Sequence, residues 1–97
     1  MGFQSHTKAR AGVIIEVHYI TRPKRLPVCR IMIETAKDVR QFNVAVLGRY
    51  RPQVGQWVYT RGISVDIMFD DPNHLEPTAI PFTRCSAVYY LGKTKMS

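Results

Sequence analysis

The amino-acid sequence predicts an all-β fold, and two observations support this prediction. Val, Ile, Tyr and Phe alternate with polar residues through most of the chain, which is the two-residue period of a half-buried strand. No segment shows the i, i+3, i+4, i+7 apolar spacing with caps that indicates a helix. Of the 97 residues, 45% are hydrophobic and 22% are charged, as in ordinary globular domains. We therefore expect one domain over residues 1–97, with residues 1–9 and 92–97 as flexible termini.

Three strands are predicted in the first half of the chain. The first spans residues 10–20, the second 28–35 and the third 40–47. Pro23 and Pro27 interrupt the segment between the first two strands, and it is predicted to be a basic hairpin loop because proline lacks a backbone donor. On the first strand, alternation places on one face the side chains Val13, Ile15, Val17 and Tyr19.

The second half of the chain is predicted to add two strands. Residues 49–55 are too few and too interrupted by proline for more than one helical turn, so the helix between the third and fourth strands is expected to be reduced or absent. A long strand region spans residues 56–69, with a strong coil or a bulge expected at Gly62. Three prolines predict a long exposed loop over residues 70–81, and residues 82–91 are predicted to form the last strand.

Five strands of this kind suit a small closed barrel. The first and fourth strand regions are long enough to curl and to pair twice. A five-stranded OB-fold barrel is therefore the expected architecture, and an SH3-like barrel, whose strands are usually shorter, is the alternative.

Four segments of the chain resemble one known family. They are residues 12–15 (GVII), 28–31 (VCRI), 42–48 (FNVAVLG) and 54–62 (VGQWVYTRG). Their order is similar to that in the group of single-stranded DNA-binding proteins and primosomal replication proteins, and the match spans residues 12–67. The resemblance implies an OB-fold that binds single strands without strong sequence preference, often as a dimer or a larger oligomer.

The charge balance indicates a polyanionic partner. Fourteen Lys and Arg residues against seven Asp and Glu residues give a net charge of +7, and nine of the fourteen are Arg. The planar guanidinium of Arg suits phosphate and stacks on bases. The segment 63–83 carries acidic residues and no Lys or Arg, so we expect a basic face and a separate acidic loop. Single-stranded DNA, or RNA, is the expected partner.

The segment around Trp57 is the strongest candidate for strand binding. A flexible single strand needs exposed rings on which its bases stack and cations for its phosphates. Trp57 and Tyr59 lie two residues apart, so a strand points both rings to one side, with Arg61 on the same face. We predict that the rings are exposed. The alternative is that they face the core while Val58 packs outside.

Three further groups of residues are predicted to contact the strand. Tyr50 lies in a loop between Arg49 and Arg51, where it is not expected to join the core and offers a ring flanked by cations. The first hairpin loop and the outer face of the second and third strands provide the other two groups. The loop contributes Arg22, Lys24 and Arg25, and the outer face contributes Arg30 and Asn43. Solvated surface or a contact between subunits is the alternative.

Enzymatic activity finds little support in the sequence. His6, His18 and His74 are scattered, and no nucleophile setting or glycine-rich phosphate loop is present. The separation of Cys29 and Cys85 does not match a zinc site, so no metal and no cofactor are expected.

These observations leave three functions. The first is a non-sequence-specific single-stranded DNA-binding protein of replication, recombination or repair. The second is an RNA-binding OB module of translation, and the third is a protein-interaction adaptor. No apolar run approaches the roughly 20 residues of a membrane span, so we expect a cytoplasmic location, nucleoid-associated, or in the host cytoplasm for a virus-encoded protein. A homo-oligomer, with a dimer favoured, is expected because the core is small.

Overall fold

The fold is a single antiparallel β-sheet. The computed structural model describes residues 10–46 and 48–85, apart from the Arg22 side chain. These residues form six strands and no helix, in the sheet order β3-β2-β1-β4-β5-β6. The strands are β1 Arg10–Arg22, β2 Arg25–Thr35, β3 Val39–Ala45, β4 Trp57–Arg61, β5 Ser64–Phe69 and β6 Thr78–Thr83.

The all-β prediction is confirmed, and so is the reduced or absent helix between β3 and β4 for the described residues of that connection. No helix in the described ranges is long and apolar enough to cross a membrane. The predicted flexible termini, and the continuation of the predicted last strand over residues 86–91, lie outside the described residues.

The described residues contain six strands where the sequence predicts five, because the long region 56–69 is a hairpin. Arg61 pairs with Ser64, and Gly62 in the turn between them has a φ of 59°. A two-residue turn with glycine at its first central position matches the twist of the flanking strands. The coil or bulge expected at Gly62 is therefore wrong, and the chain reverses there.

Strand β1 pairs with two neighbours, as its length predicts. Its first four residues pair with β4, and most of the strand pairs with β2. An irregularity between Ile14 and Glu16 shifts the alternation, so that Ile14 is buried and Ile15 is exposed. The predicted face is therefore wrong at Ile15, whereas Val17 does pack against the core.

The core lies on one face of the curled sheet and joins all six described strands to the segment after β3. Its members are Ile14, Cys29, Ile31, Ile33, Phe42, Val44, Val46, Val58, Val65, Ile67 and Phe82. The edge strands β3 and β6 approach each other at a bridge between Val44 and Arg84, beside which the Cys85 N–H donates to the Asn43 carbonyl at 2.7 Å. The described sheet is otherwise open, and closure into a barrel stays a prediction.

Candidate nucleic-acid interface

The outer face of β4 carries two exposed aromatic rings. Val58 is 2% exposed and Thr60 is buried, so the opposite alternation turns Trp57 (61% exposed) and Tyr59 (45% exposed) outward. Arg61 is exposed on the same face. The predicted exposure of both rings is confirmed, while binding of a strand by them stays a prediction. Trp57, Tyr59 and Arg61 are called the β4 platform below.

On the β1 side, the neighbours of these two rings are smaller than the rings themselves. Tyr59 pairs with Ala11 of β1, and Trp57 pairs with Val13 of the same strand. Residues two apart on a strand are roughly 7 Å apart, so the two rings offer successive stacking surfaces rather than one merged cluster. Rings in such positions are available to flat ligands such as bases.

A second arginine, Arg84, contacts the β4–β5 turn from the core side of the sheet. The guanidinium of Arg84 donates to the Gly62 carbonyl at 3.3 Å and lies 4.7 Å from the centroid of the Phe42 ring. Arg84 is exposed, and the Arg84 N–H donates to the Ile63 carbonyl, which holds the residue beside the turn. Arg84 is predicted only as part of the last strand and not as a site residue. The signal that could have found it is a lone arginine at the third position of that predicted strand.

An acidic group lies beside the platform. Asp66 of β5 pairs with Tyr59 across the sheet and is half-buried. Its carboxylate accepts a hydrogen bond from the Ser64 hydroxyl at 3.1 Å. A negative charge here repels phosphate, so phosphates are favoured on the side of the platform nearer Arg61 and Arg84.

The segment 49–51 differs from its prediction at Tyr50. Tyr50 is half-buried and packs against the core, with its ring edge-to-face with Phe69 at a centroid distance of 5.2 Å. The expectation that Tyr50 stays out of the core is wrong, because its ring packs on Phe69 and against the core cluster. The Tyr50 ring is therefore only partly available for stacking.

The two arginines beside Tyr50 are engaged within the protein. The guanidinium of Arg49 lies 5.7 Å from the Tyr50 centroid and is close enough to Asp71 to contribute to lowering the pKa of that carboxyl, after the larger effect of the Asn73 N–H. Arg51 donates to the carbonyl of Gly48 at 2.5 Å. These cations stabilise their own loops.

Asn43 is not on an open surface. It is 5% exposed, although it pairs with Arg30 on the face that the sequence assigns to the outside. The predicted outward position of Asn43 is wrong because this face is itself packed near Asn43. On the same face, Val28 is buried and Arg30 is half-buried. The Arg30 Nε and the Asn43 Oδ1 have no hydrogen-bond partner among the described residues.

The basic hairpin lies far from the β4 platform. The turn comprises only Pro23 and Lys24, the latter with a φ of 58°, so the predicted seven-residue loop is wrong. Lys24 and Arg25 are exposed at this end of β1, and the side chain of Arg22 lies outside the described residues. The platform adjoins the other end of β1, roughly 30 Å away at 3.3 Å per residue.

No protein-family model matches the chain, and no curated protein and no solved structure matches it. Within the described ranges, no group of three or more His, Cys, Asp or Glu side chains could hold a metal ion.

Proposed function

We propose that this protein binds single-stranded DNA on the β4 platform without sequence specificity and acts in DNA replication, recombination or repair. The observation that carries the proposal is the pair of exposed rings, Trp57 and Tyr59, in line with Arg61 on one strand. Each base stacked on an aromatic side chain contributes about 1–3 kcal/mol, whatever the base, because every base has a π-face.

The charge distribution supports a polyanionic ligand. The net charge is +7, and Arg61 and Arg84 flank the turn at one end of the platform. Cations at the end of a stacking surface can contact phosphates while the rings contact bases, and this division suits an unpaired strand. A duplex keeps its bases stacked inside, so it can use only the cations.

The proposal is tested by comparing three ligands at one salt concentration in a gel-shift titration. They are a single-stranded DNA, its duplex and an RNA of the same sequence. We expect the single strand to bind at least tenfold more tightly than the duplex. Equal affinity for the duplex contradicts the proposal, and tighter binding of the RNA favours the translation module instead.

A protein interface is the second candidate function. The observation that favours it is the composition of the platform surroundings, where Ala11, Val13 and the carboxylate of Asp66 border the two rings. Such a surface also suits a second copy of the chain, and a homodimer is expected in that case. Light scattering distinguishes the states, because a monomer has a mass of 11.1 kDa. A dimer that dissociates on Tyr59→Ala, together with no nucleic-acid binding at low salt, selects this function.

A further inference from the structure

A groove lies beside Trp57, at the end of the platform away from Arg61. Its volume is about 480 Å³, which is enough for a nucleobase with its sugar. One wall is the loop that precedes β4, and the other is the end of β5 with the start of the loop that follows. The described lining residues are Gln53, Val54, Gly55, Gln56, Trp57, Met68, Phe69, Asp70 and Pro77. We call this feature the Trp57 groove.

The loop wall of the groove is held in place by hydrogen bonds. The side-chain carbonyl of Gln56 accepts the Gln53 N–H at 2.7 Å. The Gly55 N–H donates to the Ile14 carbonyl at 2.8 Å, and the Ile14 N–H donates to the Gln56 carbonyl at 3.0 Å. The groove therefore exists before a ligand arrives, which lowers the ordering cost of binding.

The lining of the groove favours a base over a phosphate. Trp57 and Met68 supply aromatic and apolar surface, and Asp70 is the sole charged residue among the described residues that line it. A carboxylate only accepts hydrogen bonds, so it favours a ligand edge that donates them. A strand whose phosphates lie near Arg61 can extend along the platform, roughly 13 Å, and place a base in the groove.

We propose that the Trp57 groove takes one guanine of the bound strand, stacked on the indole, with its N1–H and N2–H donated to the Asp70 carboxylate. Guanine presents two adjacent donors on its Watson–Crick edge, at the spacing of the two carboxylate oxygens. Adenine and cytosine each place an acceptor beside their amino group, and thymine has one donor between two acceptors. The inference rests on the proposed function and adds base selectivity at a single position.

The test uses fluorescence anisotropy with a labelled oligo(dT) and the same strand carrying one central guanine, inosine, adenine or cytosine. A good bidentate contact discriminates between bases by about tenfold, so the guanine strand should bind about tenfold more tightly than oligo(dT). Inosine keeps N1–H and lacks the N2 amino group, so its affinity should fall between the two. Adenine and cytosine strands should bind like oligo(dT).

Two variants test whether Asp70 causes the guanine preference. Asp70→Asn should reduce the ratio of guanine-strand affinity to oligo(dT) affinity to about one, while the loss of a negative charge tightens binding of both strands alike at low salt. Glu76→Gln is the matched control, because it removes one negative charge from the same loop at a residue that does not line the groove, and it should keep the preference.

The outcomes separate the two proposals. Measurable oligo(dT) binding without a guanine preference overturns the groove proposal and leaves the proposed function standing. A preference that survives Asp70→Asn, or that Glu76→Gln removes equally, also overturns it. Absence of binding to every strand overturns the proposed function itself.

Discussion

Substitutions at Tyr59 and Arg61 should separate stacking from charge on the β4 platform. Tyr59 is 45% exposed, so about half of its side chain is covered by neighbours, and Tyr59→Ala should lower the free energy of unfolding by about 1–2 kcal/mol through lost apolar burial and the poor strand propensity of alanine. In binding, the lost ring should cost about 1–3 kcal/mol, which is about 5-fold to 150-fold in affinity. The salt dependence should stay the same, because a neutral ring releases no counterion.

Arg61→Ala should show the opposite pattern. Each phosphate neutralised on a single strand contributes about −0.7 to the slope of log affinity against log salt, so the variant should flatten that slope by about 0.7. Between about 50 and 200 mM salt, the variant should lose about 2.6-fold less affinity than the unmodified protein. The loss should be the same for every base sequence, because the phosphate carries no sequence information.

The assay is a set of anisotropy titrations with oligo(dT) at four salt concentrations, accompanied by thermal unfolding of each variant. Tyr59→Phe keeps the ring and should keep the affinity, whereas Arg61→Lys keeps the charge and should keep the slope. The reasoning is refuted if Tyr59→Ala and Arg61→Ala change the slope equally, or if neither weakens binding. In either case the strand does not lie on the β4 platform.

Four further predictions follow from individual residues. Oligo(dT) should change the emission of Trp57, the single tryptophan, and saturable binding with unchanged emission would contradict stacking on it. Asp66→Asn should tighten binding about twofold at low salt, because a unit charge about 7 Å from a phosphate contributes about 0.5 kcal/mol in water. Weaker binding would count against a strand whose phosphates pass near Asp66. Gly12→Ala should lower the free energy of unfolding by about 1–3 kcal/mol, because the added Cβ would lie 2.7 Å from the Glu34 carbonyl oxygen. An unchanged melting temperature would be inconsistent with this crowding. Burial raises the pKa of the Cys29 thiol from 9.0 to about 11, so between these pH values the native thiol keeps its proton while the unfolded one loses it. The free energy of unfolding should therefore fall as the pH rises from 9.0 to about 11. Rapid alkylation of the native thiol at pH 8 would argue against its burial.

The candidate site could be predicted from the sequence only where local alternation decides the geometry. The spacing of Trp57 and Tyr59 places both rings on one side of a strand in any fold that keeps the strand. Which side faces water depends on Val58, which is buried opposite Ile67 of β5. That pairing requires the turn at Gly62, which the sequence analysis interpreted as a bulge within one long strand.

Residues that act through distant contacts could not be assigned in this way. Tyr50 packs on Phe69, nineteen positions along the chain, and Asn43 lies on a face of β3 that is packed rather than open. The Trp57 groove joins the loop at Gln53 with Asp70 beyond β5, and no local pattern brings these two residues together.

The sequence by itself determined the all-β class, the double pairing of the long first strand, the shared face of Trp57 and Tyr59, and the excess of positive charge. These properties depend on composition and on the two-residue period, which are local. Only the tertiary structure decided the number of strands, the burial of Asn43, the engagement of Arg49 with its own loops and the distance between the basic hairpin and the platform. These depend on which segments meet across the sheet, because burial and charge pairing are set by neighbours that lie close in space and far apart in the chain.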